Sequence, residues 1–98
     1  MHISTMQAHI GKWHYKTFGA VAPVIILEKI TEECKELNDA HDGDSPNLPD
    51  ELADVVIATM AYCARKNINL ESAMKKKLAA LKLREYKHVN GTWKRIDK

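Results

Sequence analysis

The chain has 98 residues, of which 45% are hydrophobic and 29% charged, and its formal net charge is +2. This length allows a single domain, placed at residues 1–98, and the composition is typical of a soluble globular protein. The sequence contains no run of 18 apolar residues, and its start lacks the basic and apolar stretches of a signal peptide. We therefore expect no membrane contact and a cytoplasmic location.

Charge is strongly segregated along the chain. Residues 28–54 contain ten acids and two bases, a net charge of −8, whereas residues 75–98 contain nine bases and two acids, a net charge of +7. An acidic middle can hold cations, and a basic tail can hold phosphates. The pattern therefore suits a ligand made of a metal ion and a nucleotide.

Four segments are predicted as helices from the spacing of their apolar residues. Their predicted bounds are about residues 3–15, 23–41, 49–67 and 70–86. Pro23 and Pro49 fit the first turns of their helices, and Asn69 is a candidate N-cap for the fourth. Cys34 and Cys63 lie within the apolar stripes and are expected to be buried free thiols.

Each stripe also predicts which side chains are buried. The stripes comprise Met6, Ile10 and Trp13 in the first helix, Leu27, Ile30, Cys34 and Leu37 in the second, Leu52, Val55, Val56, Thr59, Met60 and Cys63 in the third, and Leu70, Ala73, Met74, Leu78 and Leu81 in the fourth. A chain this short buries a modest fraction of its surface. We therefore expect an all-α, four-helix bundle that is completed by oligomerisation.

The end of the chain differs from the rest. Asn90-Gly91 separates two β-prone runs, which predicts a tight two-residue turn. We expect a basic C-terminal arm or short β-hairpin over residues 87–98, with Trp93 packed across the hairpin. The helical core would then span about residues 3–86.

Two pairs of carboxylates stand one helical turn apart in the acidic region. Glu33 and Glu36 share a face of the second helix, and Glu51 and Asp54 share a face of the third. Two antiparallel helices can direct all four side chains at one point. Clustered carboxylates repel one another unless a cation neutralises them, and Mg²⁺ or Mn²⁺ is the cation that such oxygen ligands favour. Taken singly, each acid is more typical of a solvated helix face than of a metal ligand.

Lys77 and Arg84 lie seven residues apart on the predicted fourth helix, and therefore on one face. Such a pair can neutralise phosphate oxygens that a metal ion also binds. The pairs of acids and this pair of bases together favour an enzyme that acts on phosphate esters or anhydrides.

These residues also resemble a known family. The matching residues are Glu32-Glu33-Cys34-Lys35-Glu36-Leu37, Asp50-Glu51-Leu52-Ala53-Asp54-Val55-Val56, and Asn67-Ile68-Asn69-Leu70-Glu71-Ser72-Ala73 followed by Lys77 and Arg84. Their order resembles the ExxE…ExxD signature of the MazG-like all-α nucleoside triphosphate pyrophosphohydrolases, over about residues 23–86. Lys35 stands where many members have Gly, and Leu81 stands where many have Asn.

The resemblance implies an Mg²⁺-dependent enzyme that cleaves a nucleoside triphosphate or deoxynucleoside triphosphate into the monophosphate and pyrophosphate. It implies that Glu33, Glu36, Glu51 and Asp54 hold the metal, with Mn²⁺ as an alternative ion. One of these four catalytic carboxylates would orient or deprotonate the attacking water. It also implies assembly as a homodimer or homotetramer.

Substrate-binding roles follow from the same resemblance. Lys77 and Arg84 would contact the phosphates, including those bound to a neighbouring subunit. Trp13 and Phe18 are candidates for stacking on the base, although Trp13 equally suits a core or interface position. The five histidines show no ligand spacing and receive no role.

A different class of function is a non-catalytic helical module that binds nucleotides or nucleic acid. The basic segment from Lys75 onward, with Tyr86 and Trp93 interleaved, would form its binding surface. Such binding would weaken steeply with salt and need no Mg²⁺. For the enzyme itself we expect no nucleic-acid partner.

Overall fold

A computed structural model describes residues 1–96 as four helices followed by two strands. The elements are α1 (Ile3–Phe18), α2 (Pro23–Asp42), α3 (Leu48–Arg65), α4 (Leu70–Leu83), β1 (Glu85–Val89) and β2 (Thr92–Ile96). The prediction of four helices with a C-terminal hairpin is confirmed. The last two residues of the predicted arm, 97 and 98, lie outside the described residues.

The helix ends follow local sequence signals. The Asn69 side chain caps α4 by accepting a hydrogen bond from the backbone N–H of Ser72 at 3.1 Å. Pro23 and Pro49 both lie in first turns, where their missing N–H has no intrahelical partner to lose. The predicted end of the fourth helix at residue 86 is wrong. Arg84 is extended, with ψ 148°, because the residues after it pair with β2 instead of continuing the helix.

Helix α3 is the centre of the helical packing. It packs against both α2 and α1, while α4 packs against α1. The central core consists of Ile10, Ile26, Met60 and Ala61. A Cβ atom at Gly11 would lie 2.8 Å from Cβ of Ala64. Gly11 therefore permits an approach of α1 to α3 that any larger residue would obstruct.

Polar contacts fix the start of α4 against α1. The Gln7 side chain donates to the carbonyl of Ile68 at 2.7 Å and accepts from the N–H of Leu70 at 3.2 Å. The N–H of Ser4 donates to Oε1 of Glu71 at 3.3 Å. This backbone hydrogen bond, aided by the charge of nearby Lys75, lowers the pKa of Glu71. The α1–α4 junction is therefore held largely by hydrogen bonds at one end.

The predicted stripes are only partly buried within one chain. Met60 and Cys63 are buried, and so is Ile26, which the stripe of the second helix did not include. The exposed members include Leu27, Leu52, Val56, Met74, Leu78 and Leu81. Cys34, expected to be buried, is exposed. These residues lie on helix faces that no described helix of the same chain covers.

The hairpin has the predicted tight turn. Asn90 and Gly91 both adopt positive φ angles, 51° and 80°, as a two-residue hairpin turn of this kind requires. His88 lies opposite Trp93, and their rings meet edge to face with centroids 5.3 Å apart. Trp93 therefore packs across the hairpin as predicted.

Among the described residues, no helix has both the length and the apolar character needed to cross a bilayer.

Candidate metal and nucleotide site

Packing of α2 against α3 brings three of the four predicted carboxylates together. Ligand oxygens of Glu33, Glu36 and Glu51 all lie within 4.8 Å of one another. Glu33 is buried, with 6% of its surface exposed, Glu51 is half-buried and Glu36 is exposed. These three residues are called the acidic cluster below. The i, i+3 spacing places two of them on one face, and the helix pair supplies the third.

The electrostatics of the cluster are those of crowded negative charge. The Lys29 ammonium lies 3.0 Å from Oε1 of Glu33, and this hydrogen bond raises the pKa of Lys29. Hydrogen bonding with the Glu33 carboxyl, together with repulsion from its charge, raises the pKa of Glu36. The charge of Glu51 adds to that repulsion. One lysine thus offsets only part of the charge of three carboxylates.

Two carboxylate oxygens of the cluster have no partner. With the carboxylates ionised, no described donor reaches Oε2 of Glu33 or Oε2 of Glu51, and both atoms are shielded from solvent. A buried, unpaired carboxylate oxygen is strongly unfavourable. A divalent cation would satisfy both oxygens, and an all-carboxylate donor set fits Mg²⁺ or Mn²⁺.

Asp54, the fourth predicted ligand, takes a different position. It is exposed and is not part of the acidic cluster, but it lines the same cavity as Glu33. This cavity has a volume of about 430 Å³ and lies between α1, α2 and α3. Asp54 therefore lies outside the acidic cluster but shares a cavity wall with its member Glu33.

Aromatic side chains of α1 line the same cavity as Glu33 and Asp54. These side chains are Trp13, His14 and Phe18. The Trp13 and Phe18 rings meet at 87° with centroids 5.8 Å apart, and His14 lies 4.8 Å from Phe18. Trp13 remains 52% exposed. A cavity lined by both carboxylates and aromatic rings offers groups that suit a metal-bound phosphate and a base.

His14 is a residue of the site to which the sequence pattern assigned no role. Its Nδ1 is buried and has no hydrogen-bond partner among the described residues. Burial, followed by the charge of Arg65, lowers the pKa of His14. His14 lies four residues after the buried Ile10, and therefore on the same inward face of α1. This spacing is the one feature of the sequence that could have pointed to His14.

The lowered pKa of His14 predicts a dependence of stability on pH. The unfolded chain binds a proton at His14 more readily than the folded chain does. The stability that neutral His14 contributes is therefore fully present above pH 6.5, which is the pKa of His14 in the unfolded chain. It is lost as pH falls through the folded pKa. In urea titrations, we expect the free energy of unfolding of wild type to fall more steeply below about pH 6.5 than that of His14→Gln. The matched exposed variant, His9→Gln, should follow wild type, and a parallel profile for His14→Gln would contradict the prediction.

The two predicted phosphate contacts lie elsewhere in the same chain. Lys77 lines a separate cavity between the start of α1 and α4, and Leu81 lines it too. Arg84 follows the last residue of α4. The lysine that lines the cavity of the acidic cluster is Lys29. Neither Lys77 nor Arg84 is among the described residues that line the cavity beside Glu33.

Comparison with solved structures establishes the fold. The chain is similar to a MazG-like pyrophosphohydrolase of cyanophage S-2L, whose structure was solved bound to dGDP and three catalytic Mn²⁺ ions per active site. The TM-score is 0.82 and the identity is 24%, covering 100% of this chain and 96% of that one. Comparison with curated proteins found no match.

The fold and the acidic cluster define a MazG-like protein of the nucleotide pyrophosphohydrolase class. The sequence profile of the phosphoribosyl-ATP pyrophosphohydrolase family matches residues 3–80. The chain belongs to this family, and it is an enzyme that hydrolyses a nucleotide with release of pyrophosphate. This membership argues against the non-catalytic module.

Proposed function

We propose that the protein hydrolyses nucleoside or deoxynucleoside triphosphates to the monophosphate and pyrophosphate, with Mg²⁺ as its metal ion. The observation that carries this proposal is the pair of buried oxygens on Glu33 and Glu51 that have no hydrogen-bond partner among the described residues, within an acidic cluster whose member Glu33 lines an aromatic cavity. Bound there, Mg²⁺ would neutralise phosphate charge and lower the pKa of water. The Mn²⁺ ions and dGDP bound by the cyanophage relative support a nucleotide substrate and leave Mn²⁺ as an alternative.

The residues of the site then fall into three groups, which bind the metal, the base and the phosphates. Glu33, Glu36, Glu51 and Asp54 hold the metal, and one of them accepts a proton from the attacking water. Trp13, with Phe18 beside it, stacks on the base. Lys77 and Arg84 reach the phosphates from another subunit, because their own chain holds them away from the cavity. A reaction on the nucleotide pool fits a cytoplasmic location.

The exposed surface supports assembly into a homodimer or homotetramer of single-domain subunits. The accessible surface is 7631 Å², against about 5,700 Å² for a compact monomer of 11.1 kDa. The radius of gyration is 16.3 Å, against about 13 Å for a compact chain of this length. The excess accessible surface of about 2,000 Å² is larger than the roughly 800 Å² that each partner buries in a standard interface, so one chain has enough surface for such an interface.

The reaction is tested by incubating a panel of ribo- and deoxynucleoside triphosphates with Mg²⁺, with Mn²⁺ and with EDTA. We expect equal amounts of monophosphate and pyrophosphate with either metal and none with EDTA, because the carboxylates alone repel the phosphates. Chromatography of the products distinguishes pyrophosphate from two successive releases of phosphate. Release that persists in EDTA would overturn the metal requirement. Inertness of the whole panel would overturn the proposed triphosphate substrates.

A further inference from the structure

We propose that the C-terminal hairpin of one copy docks on the acidic surface of α2 and α3 in a second copy. This inference rests on the proposed homo-oligomer but goes beyond it, because it names the segment that reaches across and the surface that receives it. The hairpin, residues 84–96, is separate from the acidic cluster and its cavity.

The hairpin has little packing support from the described helices of its own chain. Nine of its ten strand residues are exposed, and among the described residues neither strand packs along a helix. Trp93 is 68% exposed, and Tyr86 is 41% exposed. A two-stranded hairpin is marginally stable in water when nothing packs against it. Its exposed rings therefore lack a covering surface in the part of the chain that the structure describes.

The hairpin also carries a net positive charge. Residues 84–96 contain four bases and one acid, a net charge of +3. Lys87 lies directly opposite Lys94 in the ladder. Like charges in such a cross-strand pair destabilise it. Attraction of both lysines to a negatively charged partner surface would offset this repulsion.

Helices α2 and α3 present a surface of the opposite character. Residues 28–54 carry a net charge of −8, and −4 remains when the four proposed metal ligands are left out. The exposed acids outside the metal site include Glu28, Glu32, Asp39 and Asp42. Leu27 and Leu52, 47% and 50% exposed, add apolar area to the same helices. The surface therefore matches the hairpin in charge and in apolar content.

A second copy fits these observations better than a polynucleotide does. A polynucleotide would satisfy the lysines and the rings of the hairpin, but it would leave the acidic and apolar surface of α2 and α3 uncovered. A second copy covers both surfaces at once and in equal numbers, because every chain carries one of each. The excess exposed area of each chain is sufficient for such an exchange.

The test is carbodiimide cross-linking of the full chain with Mg²⁺ present, using ¹⁴N and ¹⁵N copies refolded together. Carbodiimide joins a lysine to a carboxylate that it contacts. Mass spectrometry then reports whether the two linked peptides come from the same copy. We expect mixed-isotope links from Lys87 or Lys94 to acids within residues 28–54.

The double variant Lys87→Glu/Lys94→Glu should weaken association by at least about tenfold in sedimentation. The control Lys16→Glu/Lys66→Glu, which makes the same charge change at exposed sites, should not.

The outcomes separate the two proposals. A monomeric wild-type chain would overturn both the oligomer and the docking. An oligomer whose hairpin lysines form no mixed-isotope link, or only links within one copy, would overturn the docking and leave the oligomer standing. Association of the double variant equal to that of wild type would overturn the docking as well. Pyrophosphate release, measured separately, decides the proposed reaction.

Discussion

Replacement of Glu33 by Gln is expected to lower kcat/KM for triphosphate hydrolysis by more than about 100-fold. Loss of a residue that merely supports a metal ligand typically lowers metal affinity or activity by about 10- to 100-fold. Glu33 is proposed as a ligand itself, so a larger loss is expected. Gln keeps the shape of the side chain but removes the charge from the most buried member of the acidic cluster. The steady-state rate at varied Mg²⁺ concentration measures the effect.

Glu32→Gln is the matched control for this substitution. Glu32 also pairs with Lys29, at 3.6 Å, but its side chain is 59% exposed and lies outside the acidic cluster. It should retain near wild-type activity. Mg²⁺ should raise the melting temperature of wild type and of Glu32→Gln, but not that of Glu33→Gln. Wild-type turnover by Glu33→Gln would remove this residue from the metal site.

Replacement of Trp13 by Ala is expected to weaken substrate binding by about 5- to 150-fold, with a smaller effect on kcat. Stacking of an aromatic ring on a base contributes about 1–3 kcal/mol. Trp13 is half-exposed and lines the cavity that also holds Glu33 and Asp54, so its loss should remove contact with the base but leave the fold intact. The KM of wild type and variant, measured with the preferred nucleotide, gives the result.

Two further variants separate stacking from general damage to α1. Trp13→Phe keeps a ring and should recover most of the affinity. Tyr15→Ala removes a 59% exposed ring from the same helix outside that cavity and should bind like wild type. Equal KM values for Trp13→Ala and Tyr15→Ala would show that the base lies elsewhere.

Several features followed from the sequence because they depend on neighbours within a turn or two. The Asn69 cap, the proline starts of α2 and α3 and the Asn90-Gly91 turn are all short-range and all present. The pairing of Glu33 with Glu36 on one face likewise needs only the helical repeat. The class of enzyme was predicted from the resemblance of the acidic motifs, in their order along the chain, to the signature of a known family.

Only the tertiary structure decided how the helices face one another. Helical spacing identifies an apolar stripe but not what covers it, which is why Leu27 and Leu52 are exposed while Ile26 is buried. The same limit applies to Asp54, which lies outside the acidic cluster although its spacing from Glu51 matches that of the first pair.

The placement of the other site residues also depended on contacts between distant segments. His14 gained its position in the cavity from the packing of α1 against α3, which Gly11 permits. Lys77 was separated from the acids because α4 rests on α1 rather than on α2. Local spacing in the sequence determined which chemical groups share a helix face. The packing of helices far apart in the chain determined which of those faces form a site, because burial and proximity are properties of the whole fold.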